Sequence, residues 1–411
     1  MVKRNPHMAR LNAGYLFPEV HRRRRAFQEK FPEARLISLG IGDTTQPIPS
    51  VIAQAMSYFS SSLATVDGYR GYGSEQGSYA LRDAISKRVY NGRIDPDEIF
   101  ISDGAKCDIG RLQTLFGPHA SMAVQDPSYP VYVDTSVVTG QTQHFRSECA
   151  QYEGITYLKC SPDNDFFPDL AHAPRTDLLY FCSPNNPTGA VATRAQLQEL
   201  VAFCKANRSL LIFDAAYACF ITDETIPKSI YEIEGAKEVA IELGSFSKMV
   251  GFTGVRLGWS VVPKQLCYDE GEPLHSDWSR INSTFFNGAS NIAQAGGVAA
   301  LTDEGMDEIQ RLVDYYLFNA KKIKTVFREF GYPVFGGDHA PYIWVNFSPA
   351  KSWEAFEWFL EKMHLVTTPG VGFGPGGEGF LRFSTFGHLD HVDEALARIS
   401  LLLSQPGRER L

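Results

Sequence analysis

The sequence has no run of about 18 apolar residues, so no helix in it is expected to span a membrane. Its opening stretch, MVKRNPHMARLNAGY, carries no apolar core of the kind a secretion signal needs. Cysteine is sparse: seven residues, odd in number, scattered, and without a CxxC pair. That argues against a disulfide framework or a zinc site and suits free thiols in a reducing cytoplasm. The ten histidines show no HxxxH spacing, and no metal site is expected. Positive charge is also in short supply, since 39 Lys and Arg against 47 Asp and Glu leave a net charge of −8. A nucleic-acid surface would be basic. The one basic run, HRRRR from His21 to Arg25, is followed by AFQEKFPEA and reads as one face of a solvated helix. Internal repeats and low-complexity tracts are absent.

What is present is ordinary for a soluble globular protein, with 44% hydrophobic and 21% charged residues. A length of 411 residues exceeds what one core usually supports, so two domains are expected. From about Asp95 to Pro263, short apolar runs alternate with helical patterns: EIFISDG, SMAVQDPSYP, TDLLYFCSPNNPTG, SLLIFDAAY and EVAIELGSFSK. Runs of about five residues closed by Gly, Pro, Asn or Asp are what strands buried on both faces of a parallel sheet look like. Between two of them, TRAQLQELVAFCKANR places Leu197, Leu200, Val201 and Cys204 at helical spacing, with Thr193 as its N-cap. After about Asn291 the pattern changes to a long helix, EGMDEIQRLVDYYLFNAKKIKTVFREFGY, then strand-like PYIWVNF, helical SWEAFEWFLEKMH, strand-like GFLRFSTFG and a last helix. The expected fold is α/β. A large domain at 45–285 surrounds a mostly parallel sheet, and a smaller α+β domain at 286–411 takes residues 1–44 as an N-terminal arm.

Ligands of open α/β sheets sit at the carboxyl ends of the strands, and polar residues collect there. Asp214 closes LLIFD with Tyr217 three residues on; Asn186 lies in SPNNPTG; Lys248, with Ser245 and Ser247 before it, follows VAIEL; GAKCD, Gly104 to Asp108, follows IFIS and opens a helix. These residue types suit a phosphorylated pyridine aldehyde. Lys248 could condense with the aldehyde, and Asp214 could keep the ring nitrogen protonated so that the ring draws electrons. Asn186 and Tyr217 could bond the ring hydroxyl, and Tyr129 in DPSYP could stack on the ring. Ser245, Ser247, Arg256 and the amides of Ala105 and Lys106 at a helix N-terminus could hold the phosphate. Plainer readings exist for each: a loop lysine, an N-cap at Asp214, a turn at NPTG, a strand-end ion pair at Arg256. Asp43, Asp103 and Asp108 read as loop or cap carboxylates. The glycine run GVGFGPGGEG lacks the GK[ST] of a phosphate loop and reads as a mobile turn at the substrate mouth.

Taken in order, NPTG, D-x-x-Y, S-x-S-K with an arginine eight beyond the lysine, and the late R-F-S resemble the fold-type I, aspartate-aminotransferase-like enzymes, which use pyridoxal 5'-phosphate. NAGYLFPEV, GIGDTTQPIP, SDGAKCDIGRLQ, SFSKMVGFTGVRLGW, FNGASNIAQAGG and GFGPGGEGFLRFS are similar, more narrowly, to the LL-diaminopimelate aminotransferase family, from about Asn5 to Leu403. The resemblance implies transamination between LL-2,6-diaminopimelate and 2-oxoglutarate, giving glutamate and, after cyclisation, tetrahydrodipicolinate for lysine and peptidoglycan synthesis. It implies Lys248 as the catalytic residue. It implies cofactor contacts from Tyr72, Ala105, Lys106, Tyr129, Asn186, Asp214, Tyr217, Ser245, Ser247, Arg256 and Asn291. Arg382 would clamp the substrate α-carboxylate with help from Gly42 and Asn186. Tyr15, Glu75, Lys106 and Tyr129 would meet the far end of the substrate, with Asn291 also at the substrate. Tyr72 and Asn291 would come from the second subunit of a cytoplasmic homodimer with shared sites. Another fold-type I enzyme, such as an aspartate or aromatic aminotransferase or a C–S lyase, would keep the same cofactor. A ligand-sensing domain of a transcription regulator would need an attached DNA-binding module.

Overall fold

The alternating runs between Asp95 and Pro263 assemble into one seven-stranded sheet. The structure, a computed structural model, describes residues 1–11 and 16–405. The chain begins with α1 (Leu16–Lys30), β1 (Ile37–Ser38), α2 (Ser50–Ser62) and α3 (Tyr79–Arg88). Next come β2 (Ile99–Ser102), α4 (Ala105–Phe116), β3 (Met122–Asp126), α5 (Val131–Thr139), the hairpin of β4 (Phe145–Arg146) and β5 (Gln151–Tyr152), and β6 (Ile155–Lys159). β7 (Leu178–Cys182), α6 (Arg194–Asn207), β8 (Leu210–Asp214), β9 (Ala240–Ser245), α7 (Phe246–Met249) and β10 (Gly258–Val261) complete the sheet region. Three helices follow, α8 (Leu274–Phe285), α9 (Asn291–Ala300) and α10 (Asp303–Glu329). The last part holds β11 (Val334–Gly336), β12 (Tyr342–Asn346), α11 (Ser352–Met363), β13 (Leu365–Val366), β14 (Thr368–Pro369), β15 (Phe380–Ser384) and α12 (Leu389–Leu403).

The sheet order is β2-β10-β9-β8-β7-β3-β6. The pairs from β9 through β6 are parallel. β10 is the exception, antiparallel to both β2 and β9. Every residue of β3 and β7 is buried, which is why these strands read as unbroken apolar runs rather than as alternation. The helix after β7 starts where its capping chemistry puts it. The Gln196 amide donates to Thr193 Oγ1 at 3.2 Å, and the Thr193 amide donates to Gln196 Oε1 at 2.8 Å, so two amides that the helix itself cannot satisfy are paired reciprocally.

A second, antiparallel sheet, β11-β12-β15-β14, lies in the C-terminal part. β1 pairs with β13 in parallel, and Leu16, Val20, Phe27, Ile37 and Leu39 join the core beneath that second sheet. α10 reaches across both cores. Ile309, Val313 and Tyr316 pack in the larger core, while Ala320, Ile323 and Phe327 pack in the smaller. Its 27 residues make a rod about 40 Å long, enough to serve both. Ala293 and Ala300 of α9 also pack on the larger core, although a sequence division at 285/286 puts them in the smaller unit.

Candidate active site

The carboxyl ends of β2, β3, β7, β8 and β9 open on a cavity of 630 Å³, closed on the other side by the loop after β1, by α1 and by β12 and β15. Ala105, Lys106, Tyr129, Asn186, Asp214, Tyr217, Ser245, Ser247, Lys248, Arg256, Arg382 and Gly42 all line it. Residues drawn from more than 300 positions of sequence thus meet in one space.

One end of the cavity is a collection of donors. Gly104, the N-cap of α4, has φ +119°, and a Cβ there would sit 2.4 Å from Arg256 Nη2. The position therefore excludes other side chains on two counts. The amides of Ala105 and Lys106 lie in the first turn of α4 and have no carbonyl a turn earlier to donate to. Arg256 Nη1 donates to Ser247 Oγ at 3.2 Å, and the Ser247 amide donates to Ser245 Oγ at 3.1 Å. Helix amides, two hydroxyls and a guanidinium fit a phosphate dianion.

At the floor is Asp214, 5% exposed. The Tyr132 hydroxyl donates to its Oδ2 at 2.7 Å and the Ala216 amide to its Oδ1 at 3.0 Å. Burial holds its pKa above the ordinary carboxylate value, and those two hydrogen bonds oppose the rise. Beside it, Asn186 Nδ2 donates to Tyr217 Oη at 3.4 Å, and the Tyr217 and Tyr342 hydroxyls bond each other at 3.0 Å. These groups could bond the hydroxyl of a heteroaromatic ring laid beside Asp214.

The third side is Arg382, 1% exposed at the middle of β15. It donates to Asn186 Oδ1 at 2.6 Å and to the Gly40 carbonyl at 2.7 Å. The rings of Tyr342 and Phe373 lie 4.4 and 4.9 Å from its guanidinium carbon, and Phe17 lies at 6.0 Å. Its buried Nε has no hydrogen-bond partner, and among the described residues no carboxylate forms an ion pair with it. Burial pulls its pKa below the ordinary value. A buried cation without a counter-ion is costly, and the group that would satisfy it is an anion from outside the chain.

Lys248 sits between these three regions, in the one-turn helix α7. Its Nζ donates to the Gly42 carbonyl. Burial pulls its pKa down to about 8; Asp43 opposes that fall, and Arg382, Arg256 and Lys106 add to it. A lysine so placed yields a neutral amine more readily than a surface lysine does.

Three residues of the sequence-derived set do not line this cavity. Tyr72, 88% exposed, Glu75 and Asn291 lie on the outer surface around the 71–75 segment, where Asn291 Nδ2 donates to the Gly71 carbonyl at 3.5 Å. Tyr15 lies outside the described residues. Other sequence expectations need correction. Asp108 is no loop or cap carboxylate: it is 0% exposed within α4, paired to Arg111 at 3.1 Å, and burial pushes its pKa up to about 7. The basic run is not wholly a solvated face, because His21 lines the cavity one turn after Phe17, and Arg23 lies over the Trp353 ring at 4.1 Å. The glycine run is tied to the large sheet rather than free: the Gly376 amide donates to Asp126 Oδ1 at 2.9 Å, and the Ser128 amide donates to the Phe373 carbonyl at 2.8 Å. Tyr132 and Tyr342 were not found from the sequence. Tyr132 stands three residues after Tyr129, and that proximity to DPSYP was the one available signal.

No cluster of metal-ligating side chains occurs among the described residues, and no helix among them is long and apolar enough to cross a membrane. Residues 34–399 match the family model for aminotransferase class I and II. The chain is 60% identical over 399 residues to an LL-diaminopimelate aminotransferase of Protochlamydia amoebophila (strain UWE25), covering 97% of each sequence. It is 55% identical over 402 residues to the chloroplastic LL-diaminopimelate aminotransferase of Arabidopsis thaliana, covering 98% of this chain and 87% of that one. The solved structure of L,L-diaminopimelate aminotransferase from Chlamydomonas reinhardtii superposes with a TM-score of 0.95 at 56% identity, over 98% of this chain and 99% of that one.

Proposed function

The chain belongs to the class I and II aminotransferase family, and on that premise we propose that it transfers an amino group between LL-2,6-diaminopimelate and 2-oxoglutarate with pyridoxal 5'-phosphate as cofactor. The observation that carries this reading is the meeting, in one cavity, of a half-buried lysine, a buried carboxylate and a buried guanidinium that makes no ion pair among the described residues. The overall likeness to LL-diaminopimelate aminotransferases supports the choice of substrate.

When bound, the cofactor supplies an electrophilic carbon and a ring that takes up the electron pair left by a departing proton. The residues of the chain do the rest. The α4 amides at Ala105 and Lys106, with Ser245, Ser247 and Arg256, hold the phosphate and fix the ring's position. Tyr129, which lines the cavity, would cover one face of the ring. Asp214 would keep a proton on the ring nitrogen: its negative charge, buried and already held by Tyr132, would make the protonated nitrogen the stable partner. Asn186 and Tyr217 bond the ring hydroxyl. Arg382 takes the substrate α-carboxylate with its fork, and the Gly42 backbone and Asn186 complete that subsite. The carboxylate supplies the counter-charge that the guanidinium otherwise lacks, so binding and orientation are one event. With the α-carbon fixed beside Lys248, the neutral amine removes its proton and returns it on the other side of the reaction.

We further propose a homodimer in which Tyr72, Glu75 and Asn291 of one subunit complete the site of the other. Tyr72 and Glu75 are exposed, and none of the three lines its own cavity. Tyr58, Val66, Tyr69 and Tyr79 on the same stretch are more than 60% exposed, an apolar surface of the kind that marks an interface. Tyr15, Lys106 and Tyr129 would meet the distal carboxylate of either substrate, and Glu75 the distal ammonium that only diaminopimelate carries. A cytoplasmic setting suits the seven unpaired cysteines.

The test is spectroscopic. LL-diaminopimelate added to the cofactor-loaded protein should bleach the bound aldehyde's absorbance, and 2-oxoglutarate alone should then restore it. A lyase would instead release product without needing the keto acid.

A further inference from the structure

We propose that Asp43 is the counter-charge of Lys248, a positioning residue that holds the ammonium formed when Lys248 takes a proton from the substrate α-carbon. The inference deepens the function proposed above and rests on Lys248 being its proton acceptor.

The placement comes first. The Gly42 carbonyl accepts a hydrogen bond from Lys248 Nζ, and Asp43 is the next residue, lining the same cavity. The charged groups around that cavity come from every element that faces the lysine: His21 from α1, Lys106 from α4, Asp214 from β8, Arg256 after α7, Arg382 from β15, and Asp43 after β1. Lys106, Arg256 and Arg382 all repel an ammonium at Nζ. Asp214 has one oxygen bonded by Tyr132 and the other by the Ala216 amide, and it is not among the charges that shift Lys248. Of the phenols nearby, Tyr217 and Tyr342 are bonded to each other, and Tyr129 has the Lys106 ammonium 5.7 Å from its ring. Asp43 is the remaining anion, and its charge acts on Lys248 in the opposite sense to the three cations.

The chemistry needs such a group. In the proton transfer the substrate C–H bond breaks, an N–H bond forms on the neutral amine, and the electron pair passes toward the cofactor ring. The amine becomes a cation in a buried site already crowded with cations, which raises the barrier. A carboxylate at the cavity edge offsets that charge and, being solvent-exposed itself, pays little desolvation. Among the described residues no ion pair or hydrogen bond joins Asp43 to Lys248, so the effect is through space and leaves the amine free to move between Gly42 and the substrate.

The experiment follows the pH dependence with which cofactor-free protein condenses with added pyridoxal 5'-phosphate, read by absorbance, because only the neutral amine condenses. Asp43→Asn should lower the midpoint by about half a pH unit or more. Asp43→Ser should do the same, and Asp43→Glu should stay with wild type. With saturating LL-diaminopimelate above these midpoints, kcat of Asp43→Asn should fall several-fold with KM unchanged. Coincident midpoints for wild type, Asp43→Asn and Asp43→Ser would overturn the inference. So would a raised KM for diaminopimelate with an unmoved midpoint, which would make Asp43 a reader of the distal ammonium. Lys248→Ala separates the two levels: if it condenses as wild type does, the role of Lys248 fails; if it does not, and the midpoints still coincide, only the role of Asp43 fails.

Discussion

Replacing Arg382 with methionine should separate folding from binding. The guanidinium is 1% exposed, with hydrogen bonds to Asn186 and Gly40 and three aromatic rings around it. Burying a charge without a counter-ion costs several kcal/mol even after relaxation. Two charge-assisted hydrogen bonds return about 1.5–3 kcal/mol each, and desolvated ring contacts return about 2 kcal/mol. These terms nearly cancel. Methionine removes the charge, keeps much of the volume and takes the donor from Asn186 Oδ1, while the Gly40 carbonyl keeps its bond from Thr368 Oγ1 at 2.6 Å, so the cofactor-free protein should change in stability by ~2 kcal/mol or less. Binding should behave differently. A dicarboxylate at 100 times its Kd adds about 2.7 kcal/mol to the stability of a protein that binds it. Wild type should gain that from 2-oxoglutarate and Arg382→Met should gain almost none. Loss of the bidentate carboxylate contact should also lower kcat/KM by roughly 10²–10³-fold. Thermal and urea unfolding with and without 2-oxoglutarate, together with steady-state rates, measure all three. A variant that unfolds with a loss of more than about 4 kcal/mol, or one that 2-oxoglutarate stabilises as it does wild type, would refute the view of Arg382 as an anion site waiting for its ligand.

Other expectations follow from the same geometry. Asp214→Ala should weaken cofactor binding by ~3–5 kcal/mol, and Tyr132→Phe, which removes one donor from that carboxylate, by about 1 kcal/mol; titration with pyridoxal 5'-phosphate measures both, and a larger effect from Tyr132→Phe than from Asp214→Ala would contradict the order of roles. Lys248 has a folded-state pKa of about 8 against an ordinary 10.5, so between those values the unfolded chain binds more protons than the folded one, and stability should rise with pH across that window; Lys248→Met should flatten that rise, and an unchanged slope would mean the amine is not buried. Co-expressed Lys248→Ala and Tyr72→Ala chains should form heterodimers with one intact site and more activity than either parent, whereas proven heterodimers without recovery would put Tyr72 outside the neighbour's site. Glu75→Ala should reduce kcat/KM for LL-diaminopimelate roughly 10–150-fold more than for glutamate; equal losses would give Glu75 a role in the loop rather than in recognition.

Much of this site is legible in the sequence because its parts stand at strand ends, where apolar runs stop at a polar residue. LLIFD announces both a buried strand and an aspartate at its carboxyl end, and the structure places Asp214 at the last position of β8. Thr193 and Gln196 mark a helix start by chemistry confined to four residues. What escapes is apposition across the chain. Tyr342 reads as one more residue of an apolar strand, and its contact with Tyr217, 125 positions away, has no local trace. The antiparallel β10 is hidden for a similar reason: its four residues are buried like those of the parallel strands, and direction is set by the route of the chain rather than by composition. Asp108 reads as a loop or cap carboxylate because it stands in the first turn of α4, although the cap itself is Gly104; its burial against Arg111 has no local trace, since the Phe286 ring that lies 4.1 Å from the Arg111 guanidinium is far along the chain.

The central claim is transfer of nitrogen from LL-diaminopimelate to a keto acid by way of Lys248. Its most direct test uses LL-diaminopimelate carrying ¹⁵N at one amino group, incubated with the cofactor-loaded protein and unlabelled 2-oxoglutarate, with the products read by mass spectrometry. The account predicts ¹⁵N-glutamate and cyclised tetrahydrodipicolinate in equal amounts once the fraction of label is corrected for, and neither product from Lys248→Ala. Free ¹⁵N-ammonia in place of labelled glutamate, or undiminished label transfer by Lys248→Ala, would contradict it.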